Sequence, residues 1–154
     1  MKSQQEKYRI KRIFMTIIRQ AAEYDLQELE ELFLMTRRAT FNTRPPEMFK
    51  LADYKESVEG EEVWVVEHNQ ILVGFISFWR PKRFIHNLFV HPNWQKQGFG
   101  SMLLKQAEEC LRLPLSLRVE MDNLGVCAFY EKNGFEYIST HPAPEDRYVV
   151  YRKY

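Results

Sequence analysis

Cysteine is scarce in this chain: Cys110 and Cys127 are the only two in 154 residues. Neither has a second Cys or a His at ligand spacing, so no zinc site or other metal is expected. Two free thiols inside helical patterns fit a reducing compartment, and the expected location is cytoplasmic. Long apolar runs are missing too. Ile13 to Ile18 is too short for a signal peptide or a membrane span, and Arg19 ends it. Internal repeats, low-complexity tracts and linkers are all absent.

What remains is the composition of a folded globular chain. Apolar residues make up 45%, charged residues 28% and aromatics 14%, which excludes a disordered polymer. The length suits one domain that buries its core without metals or disulfides. The net charge of +1 is unevenly spread: Lys2, Lys7, Arg9, Lys11 and Arg12 face only Glu6, so residues 1–13 carry +4 and the rest −3. Residues 1–13 read as a solvated basic extension ahead of a domain spanning 14–154. Met15 is a second candidate start. With no further basic patch and no span, neither nucleic acid nor membrane is an expected partner.

Periodicity lays out the elements. A first strand is predicted over Met15 to Arg19. Asp25 is placed to cap a helix, with Glu28 three residues on as in a capping box, and Leu26, Leu29, Leu32 and Phe33 form its apolar stripe. A second short helix is predicted from Glu47 to about Val58, after Pro45-Pro46. Three strands follow, Val63–Val66, Ile71–Trp79 and Phe84–Val90, joined by tight turns at His68-Asn69-Gln70 and Pro81 and therefore antiparallel. Gly98 and Gly100 then open a helix with the apolar face Met102, Leu103, Leu104, Ala107 and Leu111, closed by Pro114. Leu115 to Met121 is a strand, which makes a parallel βαβ unit. A helix from Asn123 to Gly134 and strands Phe135–Ser139 and Tyr148–Arg152 complete a mixed sheet with helices on both faces.

The segment from Leu88 to Gly100 is where chemistry is written. A strand ends, and a glycine-bearing loop opens a helix whose first amides have no intrahelical acceptors. Such a loop suits a phosphate group. It is not a Walker loop, because Ser101-Met102 follow Gly100 where Lys-Ser/Thr is required. It lacks the third glycine of a dinucleotide turn.

Gln95-Lys96-Gln97-Gly98-Phe99-Gly100 resembles the Q/R-x-x-G-x-G/A signature of the GNAT superfamily of N-acetyltransferases. The lead-in Leu88-Phe89-Val90-His91-Pro92 matches as well. So does a second block, Asn123 followed by Ala128-Phe129-Tyr130-Glu131-Lys132-Asn133-Gly134-Phe135. The order of elements agrees from Ile17 onward. The resemblance implies a GNAT-like α/β (α+β) fold. It would have a mixed central sheet of about six to seven strands, about four flanking helices and a βαβ cofactor unit.

It also implies an acetyl-CoA-dependent N-acetyltransferase with a primary amine as acceptor partner, working as monomer or homodimer. Leu88, Phe89 and Val90 would run beside the pantetheine arm, in the gap where the two parallel strands splay. Gln95, Lys96, Gln97, Gly98, Phe99, Gly100 and Ser101 would hold the pyrophosphate. Gln97 stands where the family often has Arg. Asn123, Phe129 and Lys132 would line the cofactor, and Tyr130 would be the general acid that protonates the departing thiolate. Some members place a base where Arg118 stands here, a departure. Glu120, on the same strand face, and His86 are the candidate bases, with Glu67 behind them. The alternative reading is a non-catalytic CoA-binding regulatory module. The acceptor pocket would be built from Thr36–Thr43 and His141–Arg147, whose mixed charges indicate no single amine.

Overall fold

The computed structural model describes residues 15–140 and 147–154. The basic arm and residues 141–146 of the second acceptor loop lie outside them. The elements are β1 (Thr16–Gln20), α1 (Leu26–Thr40), α2 (Asp53–Ser57), β2 (Glu62–His68), β3 (Ile71–Trp79), β4 (Phe84–Val90), α3 (Phe99–Leu111), β5 (Leu115–Glu120), α4 (Cys127–Lys132), β6 (Glu136–Thr140) and β7 (Tyr148–Lys153). This is the α+β class expected, with seven strands in one sheet ordered β1-β2-β3-β4-β5-β7-β6. The β4–β5 pair is parallel and every other pair antiparallel. Among the described residues no helix is long and apolar enough to cross a membrane.

Strand alternation divides the interior in two. Val65 and Val66 are neighbours on β2, yet they enter different cores. Val66, Val73, Ile76 and Phe78 pack beneath α3 with its Leu103, Leu104, Ala107 and Leu111. Val65, Leu72 and Phe75 pack with Leu29, Leu32 and Phe33 of α1 and Tyr54 of α2. The β2–β3 turn is tight because Asn69 and Gln70 take φ of 51° and 67°, which matches the twist of paired strands.

Four local expectations are corrected. The capping box does not form: Asp25 makes no side-chain cap bond to α1. Its carboxylate turns back, accepting from the Ala22 N–H at 2.7 Å and from both terminal nitrogens of Arg19 at 2.7 and 2.8 Å. A charged, two-pronged partner outcompetes a neutral amide. The expected helix Glu47–Val58 is a 3₁₀ turn, Pro46–Met48, followed separately by α2. Between them Phe49 is extended and 2% exposed, with the Arg37 guanidinium 4.5 Å from its ring centre. Burying that ring breaks the helix. On α3, Met102 is exposed and Phe99 takes its place in the core. Lastly, Asn123 does not start a helix. It has φ −118° and ψ 33° inside a 3₁₀ stretch, Met121–Val126, and the α-helix begins at Cys127. Gly134, at φ 90°, ends it with its N–H donating to the Glu131 carbonyl at 3.0 Å.

Candidate active site

The site begins where the parallel pair stops. β4 and β5 share only two partnered positions, Phe84 with Ser116 and Ile85 with Leu117. Beyond these the strands diverge. On its other side β4 stays paired with β3 as far as Val90, which faces Gly74. The β4 edge from Leu88 to Val90 therefore turns toward β5 with no strand partner there. Gly74 permits the tight β3–β4 approach, since a Cβ on it would lie 2.8 Å from the Phe89 carbonyl oxygen.

At the end of this opening the chain turns into α3. A short turn, Pro92–Trp94, is closed by the His91 Nδ1 accepting from the Asn93 N–H at 3.0 Å. Gln95 donates through Nε2 to the Val90 carbonyl at 3.0 Å, tying the loop to the end of β4. Gln97 Nε2 reaches the Asn93 carbonyl at 3.5 Å. Gly98 is the N-cap with φ 89°, and the first intrahelical bond runs from the Met102 N–H to its carbonyl. The amides of Phe99, Gly100 and Ser101 precede that bond, so the helix leaves them free to meet an anion. Lys96 is exposed beside them. The Phe99 side chain is 5% exposed and packs on Trp94 and His68, so only its backbone faces outward. Gly100 sits under Phe129: a Cβ there would come within 3.0 Å of the ring.

A cleft of about 620 Å³ opens on the α1 side of the sheet. Leu88, Phe89, Asn123 and Tyr130 line it, with His86 and Glu120. Tyr130 is half-buried, its ring edge-on to Phe129 at 5.2 Å and to Phe135 at 6.0 Å. Burial pushes its phenol well above the ordinary tyrosine value, and the nearby Cys127 adds to the effect. The hydroxyl therefore stays protonated at neutral pH. Lys132 ends α4, exposed.

The two candidate bases stand in different surroundings. Glu120 is held by Arg44, which also pairs with Asp122 at 2.7 Å. His86 has its Nδ1 2.8 Å from Glu61 Oε2. Glu61 is fixed in turn by the Ser77 hydroxyl at 2.7 Å, and Ser77 accepts from Asn87 Nδ2 at 2.9 Å. The register shifts between Ser77 and Phe78, so His86 is an extra residue on β4, a bulge that sends it and Asn87 into the same network. Glu67 is elsewhere, engaged with Arg19 on β1. Arg44 and Glu61 are site residues the sequence did not single out. Both lie in loops, where only the fold brings them to the strands. Among the described residues no group of three or more His, Cys, Asp or Glu side chains could hold a metal ion.

Residues 26–135 match the acetyltransferase (GNAT) family. An uncharacterized N-acetyltransferase, YafP, of Escherichia coli (strain K12) is 30% identical over 122 residues, covering 73% of this chain and 75% of the relative. The crystal structure of the PaiA N-acetyltransferase from Thermoplasma acidophilum in complex with coenzyme A superposes with a TM-score of 0.77 at 21% identity, covering 90% of this chain and 98% of that one. The ribosomal-protein-alanine N-acetyltransferase from Brucella melitensis gives a TM-score of 0.65 at 22% identity, covering 89% and 98%. With its two motif blocks, its sheet and these likenesses in agreement, the chain belongs to the acetyltransferase (GNAT) family and is an acetyl-CoA-dependent acyltransferase.

Proposed function

We propose that the chain transfers the acetyl group of acetyl-CoA to a primary amine by direct attack in a ternary complex. The observation that carries this reading is the opening between β4 and β5, with free amides of α3 at one end and a cleft holding Tyr130 and His86 at the other. The residues fit the cofactor. The edge from Leu88 to Val90 offers backbone groups to the pantetheine amides as an added strand would. The amides of Gly98 to Ser101, with Lys96, form an anion cradle for the pyrophosphate, and no atom lies within 4 Å of where a Gly98 Cβ would be. Gln95 and Gln97 brace the cradle. Asn123, Phe129 and Lys132 flank the arm.

When bound, acetyl-CoA supplies the thioester as electrophile. His86, oriented by Glu61, takes the proton of the incoming ammonium, so that the nitrogen can bond to the carbonyl carbon. Tyr130 donates its proton to sulfur as the C–S bond breaks, and solvent restores it. The partial burial that raises the phenol also disfavours a thiolate at the same place, so the proton follows the charge. Glu120 is the weaker candidate base, because its carboxylate already neutralises Arg44. Free Cys110 and Cys127 fit action in a reducing cytoplasm.

Thiol release from acetyl-CoA against a panel of amines tests this. Release that depends on the amine and yields one N-acetyl product per thiol is the expected result. Calorimetric binding of acetyl-CoA with no release above background for any amine would overturn it.

A further inference from the structure

Four arginines line the cleft, and they are not equivalent. Arg37 is paired with Asp53 at 3.0 Å, and Arg44 with Glu120 and Asp122. Arg118 and Arg147 have no carboxylate partner among the described residues. Arg118 is nevertheless held in place. Its guanidinium carbon lies 5.2 Å from the Phe84 ring centre and 4.7 Å from that of Tyr148. Tyr148 pairs with Glu120 on β5 and is thus a diagonal neighbour of Arg118 on one sheet face. Two rings restrain the planar group and shed part of its water, while its N–H edge keeps its hydrogen-bonding capacity. A restrained, partly desolvated guanidinium is prepared for a two-pronged carboxylate.

Its position decides what else the ligand carries. Phe84 faces Ser116 in the parallel register, so Arg118, two residues on, lies across the opening from His86. The Phe84 and His86 rings are 6.3 Å apart, so both strands present these groups around one aromatic ring. An amine delivered to His86 and a carboxylate held by Arg118 belong to one small molecule. The other walls mix Phe33, Phe41 and Phe89 with Ser57, Asn87 and the ion-paired Arg37 and Arg44.

We propose that the acceptor is a free amino acid, and that Arg118 binds its carboxylate. This rests on the reading of the cleft as the acceptor site. The test compares amino acids with their carboxamides as acceptors, for wild type, Arg118→Gln and Arg118→Lys. In parallel, N-acetyl amino acids and their amides are titrated onto the CoA-loaded protein by calorimetry. The expected result is a KM for amino acids raised about tenfold or more in Arg118→Gln, a smaller rise in Arg118→Lys, and little change for carboxamides. Acetyl-CoA affinity should stay unchanged in both. Carboxamides or simple amines used as well as amino acids by wild type would overturn the proposal while leaving the acetyltransferase reading intact. If no amine is acetylated, the titration still decides: N-acetyl amino acids binding no tighter than their amides, or equally to Arg118→Gln, overturns it.

Discussion

His86 on β4 and Glu61, in the loop before β2, are joined by a 2.8 Å contact between Nδ1 and Oε2. The carboxylate fixes which ring nitrogen carries the proton and leaves Nε2 as the basic nitrogen of a side chain that lines the cleft. His86→Gln should therefore lower kcat by about a hundredfold, and Glu61→Gln by about tenfold with little change in acetyl-CoA affinity. Steady-state kinetics with a productive amine checks this. A larger loss from Glu120→Gln than from His86→Gln would move the base to β5.

Tyr130→Phe keeps the ring and its edge contacts with Phe129 and Phe135 but removes the proton. Fold and acetyl-CoA affinity should survive, and turnover should fall about a hundredfold. The loss should shrink with an acyl donor whose thiol is more acidic. Single-turnover kinetics with two thioesters measures it, and an undiminished rate with both donors would make Tyr130 a packing residue.

The two loop glycines should fail differently. Gly98 has open space but φ 89°, so Gly98→Ala costs about 1 kcal/mol of stability through backbone strain alone. Gly100→Val drives atoms into the Phe129 ring and over the anion cradle, so acetyl-CoA affinity should fall more than about tenfold. Calorimetry and thermal melts separate the two effects. Undiminished affinity in a folded Gly100→Val variant would remove the pyrophosphate assignment.

Asp25 is 3% exposed, and the Arg19 hydrogen bond pulls its pKa below the ordinary carboxylate value, against the opposing effect of burial. A depressed folded pKa stabilises above the unfolded value of about 4, and that stability is lost as pH falls through the folded value. Asp25→Asn should therefore cost about 2 kcal/mol at pH 7, since Arg19 loses its two-pronged partner but keeps Glu67, and progressively less below about pH 4. Urea titrations across pH would show the two proteins converging in acid. A gap independent of pH would contradict the ion-pair account.

Much of the fold was legible because period and punctuation agree. Ile71–Trp79 and Phe84–Val90 fall where their apolar runs and the flanking turn residues put them. The misreadings share a cause: a tertiary partner outbid a local rule. Arg19 drew Asp25 from its cap, and the buried ring of Phe49 split a helix. In the site, the strand–loop–helix segment was readable because backbone amides and glycines make it. The Glu61, Ser77 and Asn87 network was not, since nothing in sequence spacing announces a bulge at His86. The loss of β4–β5 pairing after Ile85 entered only through the family resemblance. No residue there signals that two strands part.

The order β5-β7-β6 has a consequence for how the chain acquires its shape. β6 is made before β7, yet among the described residues its sole strand neighbour is β7, and β5 meets β4 at just two positions. A nascent chain that has reached β6 thus holds a well-knit half, β1 to β4, and two strands awaiting a third to be threaded between them. β6 and β7 can zip as a hairpin, but seating β7 against β5 is a late, non-local step governed by loop closure. During that interval the unsatisfied edges of β5 and β6 are where the protein is most exposed to pairing with the wrong strand.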